Sequence, residues 1–167
     1  RDAALDVTVA ETTGSIANLL MLDEGAATCA FTAGDAAAEA VQGSAPFHHP
    51  LRVAALARVY DDYLHLVTRR GSGINSVPDL RSRRVSVGPT ESGTRLMVDR
   101  LFAAAGIDAA EIHTSDLGIN ESVAALRSGT VDAFFWSGGV PTSGVASLSE
   151  HVPLQLISLA PYVPRLR

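Results

Sequence analysis

Two short polar runs carry the residues best suited to chemistry in this chain. Glu91-Ser92-Gly93-Thr94 follows the apolar run Arg84-Val85-Ser86-Val87-Gly88 and opens a helical pattern. Thr12-Thr13-Gly14-Ser15, with Asn18 one turn further on, follows Val7-Thr8-Val9-Ala10 in the same way. At a strand-to-helix corner the first backbone N–H groups of the helix lack internal acceptors, and the helix dipole adds partial positive charge. A carboxylate or phosphate suits such a corner. Two of them predict a cleft that grips a small anionic or zwitterionic molecule. Gly93 lets a ligand approach the backbone closely, and Ser92 and Thr94 add hydroxyl donors. Ordinary N-capping is the competing account of Thr12, Thr13, Ser15 and Asn18.

A third candidate lies at the end of the apolar stretch that starts at Asp132, where Trp136-Ser137-Gly138-Gly139 leads into Pro141. Ligands in open α/β sheets sit beyond the carboxyl ends of strands, which favours Ser137 and Gly138. Trp136 is either an aromatic wall of the cleft or a core residue. Glu91 would oppose an anionic solute and suit one carrying an ammonium group, unless it is a solvated loop residue.

Other chemistries are not supported. His48-His49 are adjacent rather than one helical turn apart and have no acidic or thiol partner set, so no metal site is expected. Asp61-Asp62 with His65 lacks a nucleophile or a catalytic signature. Ser92 does not stand in the Gly-x-Ser-x-Gly elbow of a hydrolase. The sequence therefore predicts no catalytic residue, no enzymatic activity and no cofactor. Cys29, alone in the apolar run Thr28-Cys29-Ala30-Phe31, is expected to be a small buried hydrophobe.

The elements that must position these residues alternate short apolar runs with helical periods, which predicts an α/β fold. Strands are expected over Asp6–Ala10, Thr28–Thr32, Arg52–Ala57, Tyr63–Arg69, Arg84–Gly88, Asp132–Ser137 and Leu154–Leu159. Helices are expected over Ser15–Asp23, Asp35–Gln42, Gly93–Ala105 and Ile119–Arg127. Met97, Leu101 and Ala105 line one face of the third, and Gly129 stops the fourth in the C′ position. The loop Arg70-Gly71-Ser72-Gly73-Ile74-Asn75-Ser76 marks a boundary. Strands on either side of the second unit would link two lobes into a hinged clamp.

The chain has 167 residues, with 13 basic against 18 acidic side chains and a net charge of −5. That balance argues against nucleic acid, whose phosphates need a basic face. No apolar run approaches the roughly 18 residues of a spanning helix, so no direct insertion into a membrane is expected. The opening at Arg1, without an initiator Met or signal peptide, and the close at Pro164-Arg165-Leu166-Arg167 read as those of a fragment.

Five motifs stand in a telling order: Thr-Thr-Gly-Ser-Ile-Ala-Asn; Val-Pro-Asp-Leu-Arg-Ser-Arg-Arg-Val-Ser-Val-Gly; Glu-Ser-Gly-Thr; Leu-Arg-Ser-Gly-Thr-Val-Asp-Ala-Phe-Phe; and Gly-Gly-Val-Pro. Together, from about Val7 to Leu159, they resemble the TAXI family of solute receptors, the binding subunits of one branch of tripartite ATP-independent periplasmic (TRAP) transporters. The resemblance implies a type II periplasmic-binding-protein fold of two α/β lobes with the ligand between them. It divides the chain into a partial first lobe (1–69), a second lobe (70–158) and the start of a return to the first (159–167). It implies a periplasmic or extracytoplasmic receptor for a small carboxylate or amino acid, glutamate-like, delivered to integral-membrane TRAP subunits. Thr12, Thr13, Ser15 and Asn18 match the family's first cleft corner. Asp35 matches an aspartate that opens a helix, better suited to capping than to direct contact, and Tyr60 falls where the family has a tyrosine near the cleft, either to stack on or hydrogen-bond the solute or as a half-buried core residue. A ligand-sensing module of a regulator or sensor kinase is the alternative on the same fold.

Overall fold

Five strands make one mixed sheet in the computed structural model, which describes residues 6–166. They are β1 (Tyr63–Arg69), β2 (Arg84–Ser86), β3 (His113–Ser115), β4 (Ala133–Gly138) and β5 (Leu154–Ile157), in the order β3-β2-β4-β1-β5. β2 runs parallel to both β3 and β4, whereas β1 is antiparallel to β4 and β5. The helices are α1 (Ser15–Asp23), α2 (Gly34–Gln42), α3 (Gly93–Ala105), α4 (Ile119–Ser128) and α5 (Ser143–Ser149). The α/β class expected from the sequence is what the molecule shows. Arg1 to Leu5 and Arg167, which include both chain ends, lie outside the described residues.

Strand alternation distributes the core between two faces of the sheet. Leu66, Val85 and Phe135 face α3, where they pack with Val98, Leu101 and Phe102. Their strand neighbours Val67 and Phe134 face the other way, onto Leu126 of α4 and Leu148 of α5. Both layers exclude solvent, so β4 opens on the continuous apolar run Ala133-Phe134-Phe135-Trp136 rather than on an alternating one. Phe102 and Phe135 meet edge to face, with ring centroids 5.8 Å apart. Arg84 joins the start of β2 to Asp132, just before β4. Its backbone N–H donates to Asp132 Oδ2 at 2.9 Å, and its Nη2 donates to Oδ1 at 2.6 Å. That guanidinium holds the Asp132 carboxyl below the usual carboxylate range.

The amino-terminal part folds differently from expectation. α1 and α2 stack around Ile16, Leu19, Ala36, Ala40, Phe47 and Leu51, and Leu96 of α3 closes this second core. The three strands expected over Asp6–Ala10, Thr28–Thr32 and Arg52–Ala57 are irregular. Their apolar pattern is a demand for partners that the described residues do not meet: Val9 is 83% exposed, Phe31 71% and Leu56 82%. A strand without a ladder leaves its amides to solvent, and the assignment lapses. Cys29 is exposed for the same reason, contrary to the expected buried position. Strand β3 and helix α5 escaped the sequence reading. The strand has only three residues, and the helix is seven residues long behind a Pro-Thr turn.

Candidate functional site

The two polar corners meet. Gly14 caps α1 and Ser92 caps α3, and a Cβ built on Gly14 would stand 3.0 Å from Ser92 Cα. Gly14 has φ 142° and ψ −152°, a region open in practice only to glycine. A Cβ on Gly93 would lie 2.9 Å from Ser15 Oγ. Gly14 is therefore required by its backbone conformation and by the Ser92 backbone, and a side chain at Gly93 would have to displace the Ser15 hydroxyl.

Part of each corner's hydrogen-bonding capacity is already used. The N–H groups of Ile16 and Ala17, in the first turn of α1, donate to the carbonyl oxygen of Glu91 at 3.0 and 3.3 Å. Glu91 reaches that position with φ 63°, in the left-handed region. Ser15 Oγ accepts from the Ala33 N–H at 3.0 Å, and Ser92 Oγ accepts from Arg95 N–H at 3.1 Å as an N-cap. Thr94 Oγ1 accepts from Ser137 N–H at 3.2 Å, which ties α3 to the end of β4. The backbone N–H groups of Ser15, Gly93 and Thr94 have no acceptor among the described residues. Gly93 and Thr94 are buried. The first N–H groups of a helix have no intrahelical acceptor, so these two are available to an oxygen from outside the helix.

The remaining sequence-predicted residues are distributed around this junction. Thr12 Oγ1 donates to Asn18 Oδ1 at 2.6 Å, and Asn18 Nδ2 donates to Phe31 O at 2.7 Å, so both residues brace the loop before α1. Thr13 is exposed and forms no side-chain hydrogen bond among the described residues. Asp35 sits inside the first turn of α2, where Ala33 is the N-cap. Its carboxylate accepts from Ala36 N–H at 2.8 Å and pairs with Arg100 of α3 at 3.4 Å. Tyr60 is 61% exposed and lies over Gly139, with its ring 3.6 Å from where a Cβ of that glycine would stand.

Ser137 faces α3, its Oγ 3.9 Å from Met97 Sδ. Trp136 points to the opposite side of the sheet, packs with the α4 and α5 layer, and donates its indole N–H to Thr142 Oγ1 at 3.1 Å. It folds over Gly138, whose added Cβ would fall 2.6 Å from Trp136 Nε1. Strand alternation thus separates Trp136 from the Ser92 corner, and the core reading of that residue is the one the geometry gives.

Sequence reading missed the polar frame beneath the α3 corner. Arg95 donates to Asp116 Oδ1 at 2.9 Å and to Asp99 Oδ1 at 2.9 Å, and Thr90 Oγ1 donates to Asp116 Oδ2 at 3.0 Å. Ser115, at the end of β3, has a buried hydroxyl with no partner among the described residues. The i, i+4 spacing of Arg95 and Asp99 was the one signal available for the first pair. Asp116 is 21 residues from Arg95, and only the crossover between parallel strands brings it close.

Residues 1–162 match the NMT1-like family, and the chain belongs to that family. Similar solved structures include a periplasmic sulfonate-binding protein SsuA of Methylobacillus flagellatus KT (22% identity, 58% of this chain and 27% of that one, TM-score 0.49). Another is the aliphatic sulphonate-binding protein SsuA of Escherichia coli (20%, 60% of this chain and 33% of that one, TM-score 0.48). A third is an ABC transporter periplasmic binding protein of Brucella ovis with glutathione bound (20%, 58% of this chain and 30% of that one, TM-score 0.45). The matched part of the chain thus spans about a third of the length of each. The family whose description matches is the NMT1-like one, so the TAXI resemblance keeps only its motif order as support.

Proposed function

We propose that this chain forms the solute-holding part of an extracytoplasmic receptor, one that binds without turnover and delivers its solute to a membrane transporter. The observation that carries this reading is that the buried residues Gly93 and Thr94, at the amino end of a 13-residue helix, have N–H groups without acceptors among the described residues. Ser15 stands against Gly93, and its hydroxyl, which accepts from Ala33, keeps its own proton free to donate. Amides, hydroxyl and helix dipole suit a singly charged oxyanion. A carboxylate of an amino acid, glutamate-like, is the solute class proposed. A handful of charge-assisted hydrogen bonds at roughly 1.5–3 kcal/mol each supplies most of the ~8 kcal/mol of a micromolar complex.

In this reading the sheet from β1 to β5 belongs to one lobe and the residues before Tyr63 to the other, because β1 pairs with β4 and β5, and 159–167 begin the return. Ser15, Ser92, Gly93, Thr94 and Ser137 stand at the lobe junction. Thr12 and Asn18 hold the loop in place, Tyr60 covers its edge at Gly139, and Asp35 acts through Arg100. A TRAP-type transporter is the partner that the motif order favours.

The test is thermal unfolding of the chain in the presence of amino acids, dicarboxylates and, because an amide corner also accepts sulfonates, small sulfonates. A ligand at 100 times its Kd stabilises by about 2.7 kcal/mol, which is roughly 5–10 °C for a domain of this size. Gly93→Ala, which places a methyl group against Ser15 Oγ, is expected to abolish that rise. No response to any of these anions at millimolar concentration, or an undiminished response in the variant, rejects the reading.

A further inference from the structure

At the opposite end of the sheet from the Ser92 corner, the amino ends of β2 and β4 meet the carboxyl end of β1 around a groove of about 320 Å³. Arg69, Arg70, Arg83 and Arg84 line it, with Asp132 as the one lining carboxylate among the described residues, so four positive charges face one negative charge in the lining. This surplus stands on a chain whose net charge is −5.

The four arginines are not equivalent. Arg84 is neutralised by its fork to Asp132. Arg69 donates to the carbonyl oxygens of Leu126 and Arg127 at 2.6 and 2.7 Å, so it caps the last turn of α4 while keeping its full charge. Arg70 and Arg83 make no side-chain hydrogen bond or ion pair among the described residues. Arg83 stands in the field of two carboxylates, Asp132 and Asp79; Asp79 keeps its charge while it accepts from Asn75 N–H, Ser76 N–H and Ser76 Oγ at 2.9–3.0 Å. The groove also carries the backbone N–H of Gly71, which has no acceptor among the described residues. The concavity therefore keeps a net positive charge, carried by Arg69 and Arg70 with Arg83 beside them, and an arrangement of this kind is relieved by an anion bearing more than one charge. A lone carboxylate would neutralise only one of these charges. Arginine forks match the oxygens of a phosphate bidentately.

We propose that the groove between Arg69, Arg70, Arg83 and Arg84 is a second anion site, specific for phosphate-type groups of charge −2 or greater. It is separate from the solute corner, because the two lie at opposite ends of the same strands. The phosphate group has two possible sources, a free phosphate or diphosphate and the headgroup of an acidic phospholipid, and both present the same oxygens to the guanidiniums.

Titration calorimetry of the full chain with diphosphate and with inorganic phosphate, at constant ionic strength, tests the free source. Co-sedimentation with vesicles of phosphatidic acid in phosphatidylcholine, against phosphatidylcholine alone, tests the lipid source. The variants are Arg70→Ala, Arg83→Ala and the pair; Arg69 and Arg84 are left intact because they hold α4 and β4. Arg70 is exposed, so its single variant keeps the fold and the test alive if the Arg83 change does not. Expected is a roughly tenfold weaker association for each single variant and about a hundredfold for the pair, with diphosphate held more tightly than phosphate. Binding to diphosphate alone assigns the free source, and binding to acidic vesicles alone assigns the lipid. Absence of both, binding unchanged by the paired substitution, or retention of a polyglutamate peptide in place of either phosphate probe overturns the proposal.

Discussion

The carbonyl oxygen of Glu91 accepts from the amide of Ile16 at 3.0 Å, so the loop before α3 caps the helix that opens the other core. Two parts of the chain separated by 75 residues are joined there by main-chain atoms. Glu91 reaches this geometry at a left-handed φ of 63°, a conformation that costs an ordinary L-residue about 1–2 kcal/mol. The junction is stable enough to hold that strain.

Substitutions at position 91 will separate the carbonyl from the side chain. Glu91→Asn is expected to keep or raise stability by up to ~1 kcal/mol, since Asn tolerates the left-handed region. Glu91→Val is expected to lower it by about 1–2 kcal/mol, because a β-branched residue does not. Urea unfolding midpoints of the two variants check this. Equal losses in both would mean that the carboxylate, not the backbone, holds the corner.

Thr94 supplies the acceptor for Ser137 N–H at 3.2 Å and is buried. Thr94→Val keeps the shape and removes that acceptor, so it is expected to destabilise by about 1–3 kcal/mol. Thr94→Ser retains the oxygen and should lose less. A reversed order of the two in thermal unfolding would show that the methyl group, rather than the hydroxyl, matters at this position.

Phe134 and Phe31 have opposite fates despite identical chemistry. Phe134 is fully buried between β4 and the α4–α5 layer, whereas Phe31 is 71% exposed. Phe134→Ala is expected to cost about 3–5 kcal/mol, and Phe31→Ala no more than about 0.5 kcal/mol. A large loss on truncating Phe31 would contradict its exposed placement.

Asp132 gives a pH signature of fixed sign. The hydrogen bonds from the Arg84 guanidinium lower its pKa in the folded chain. A lowered folded pKa means that the charged form contributes stability above the ordinary carboxylate range, and that this contribution drains away as pH falls through the folded value. Asp132→Asn is therefore expected to melt below the parent at pH 7, with the difference shrinking on acidification below about pH 4. A difference that stays constant across that window would assign the loss to packing instead.

Much of the helix and strand framework was legible in the sequence. α1, α3 and β1 begin and end where periodicity and caps place them, and Gly106 and Gly129 stop their helices in the left-handed C-cap position. These signals are local: a period, a cap and a glycine lie within a few residues of one another. The strands expected at Asp6–Ala10, Thr28–Thr32 and Arg52–Ala57 did not form, because a strand is completed by a partner that its own residues do not specify. The candidate site divides along the same line. Ser92, Gly93 and Thr94 announced a helix corner by their types alone. Trp136 announced only an aromatic group, and the parity of β4 decided which face it joined.

By itself, then, the order of residues determined the helix starts, the donor-rich corners and the apolar faces, since each depends on neighbours along the chain. Tertiary structure decided that Gly14 lies against Ser92, that the Glu91 carbonyl takes the amides of Ile16 and Ala17, and that four arginines from two segments line one groove. Those relationships arise from chain crossovers spanning tens of residues, where packing of the two sheet faces and pairing of the strands set the distances.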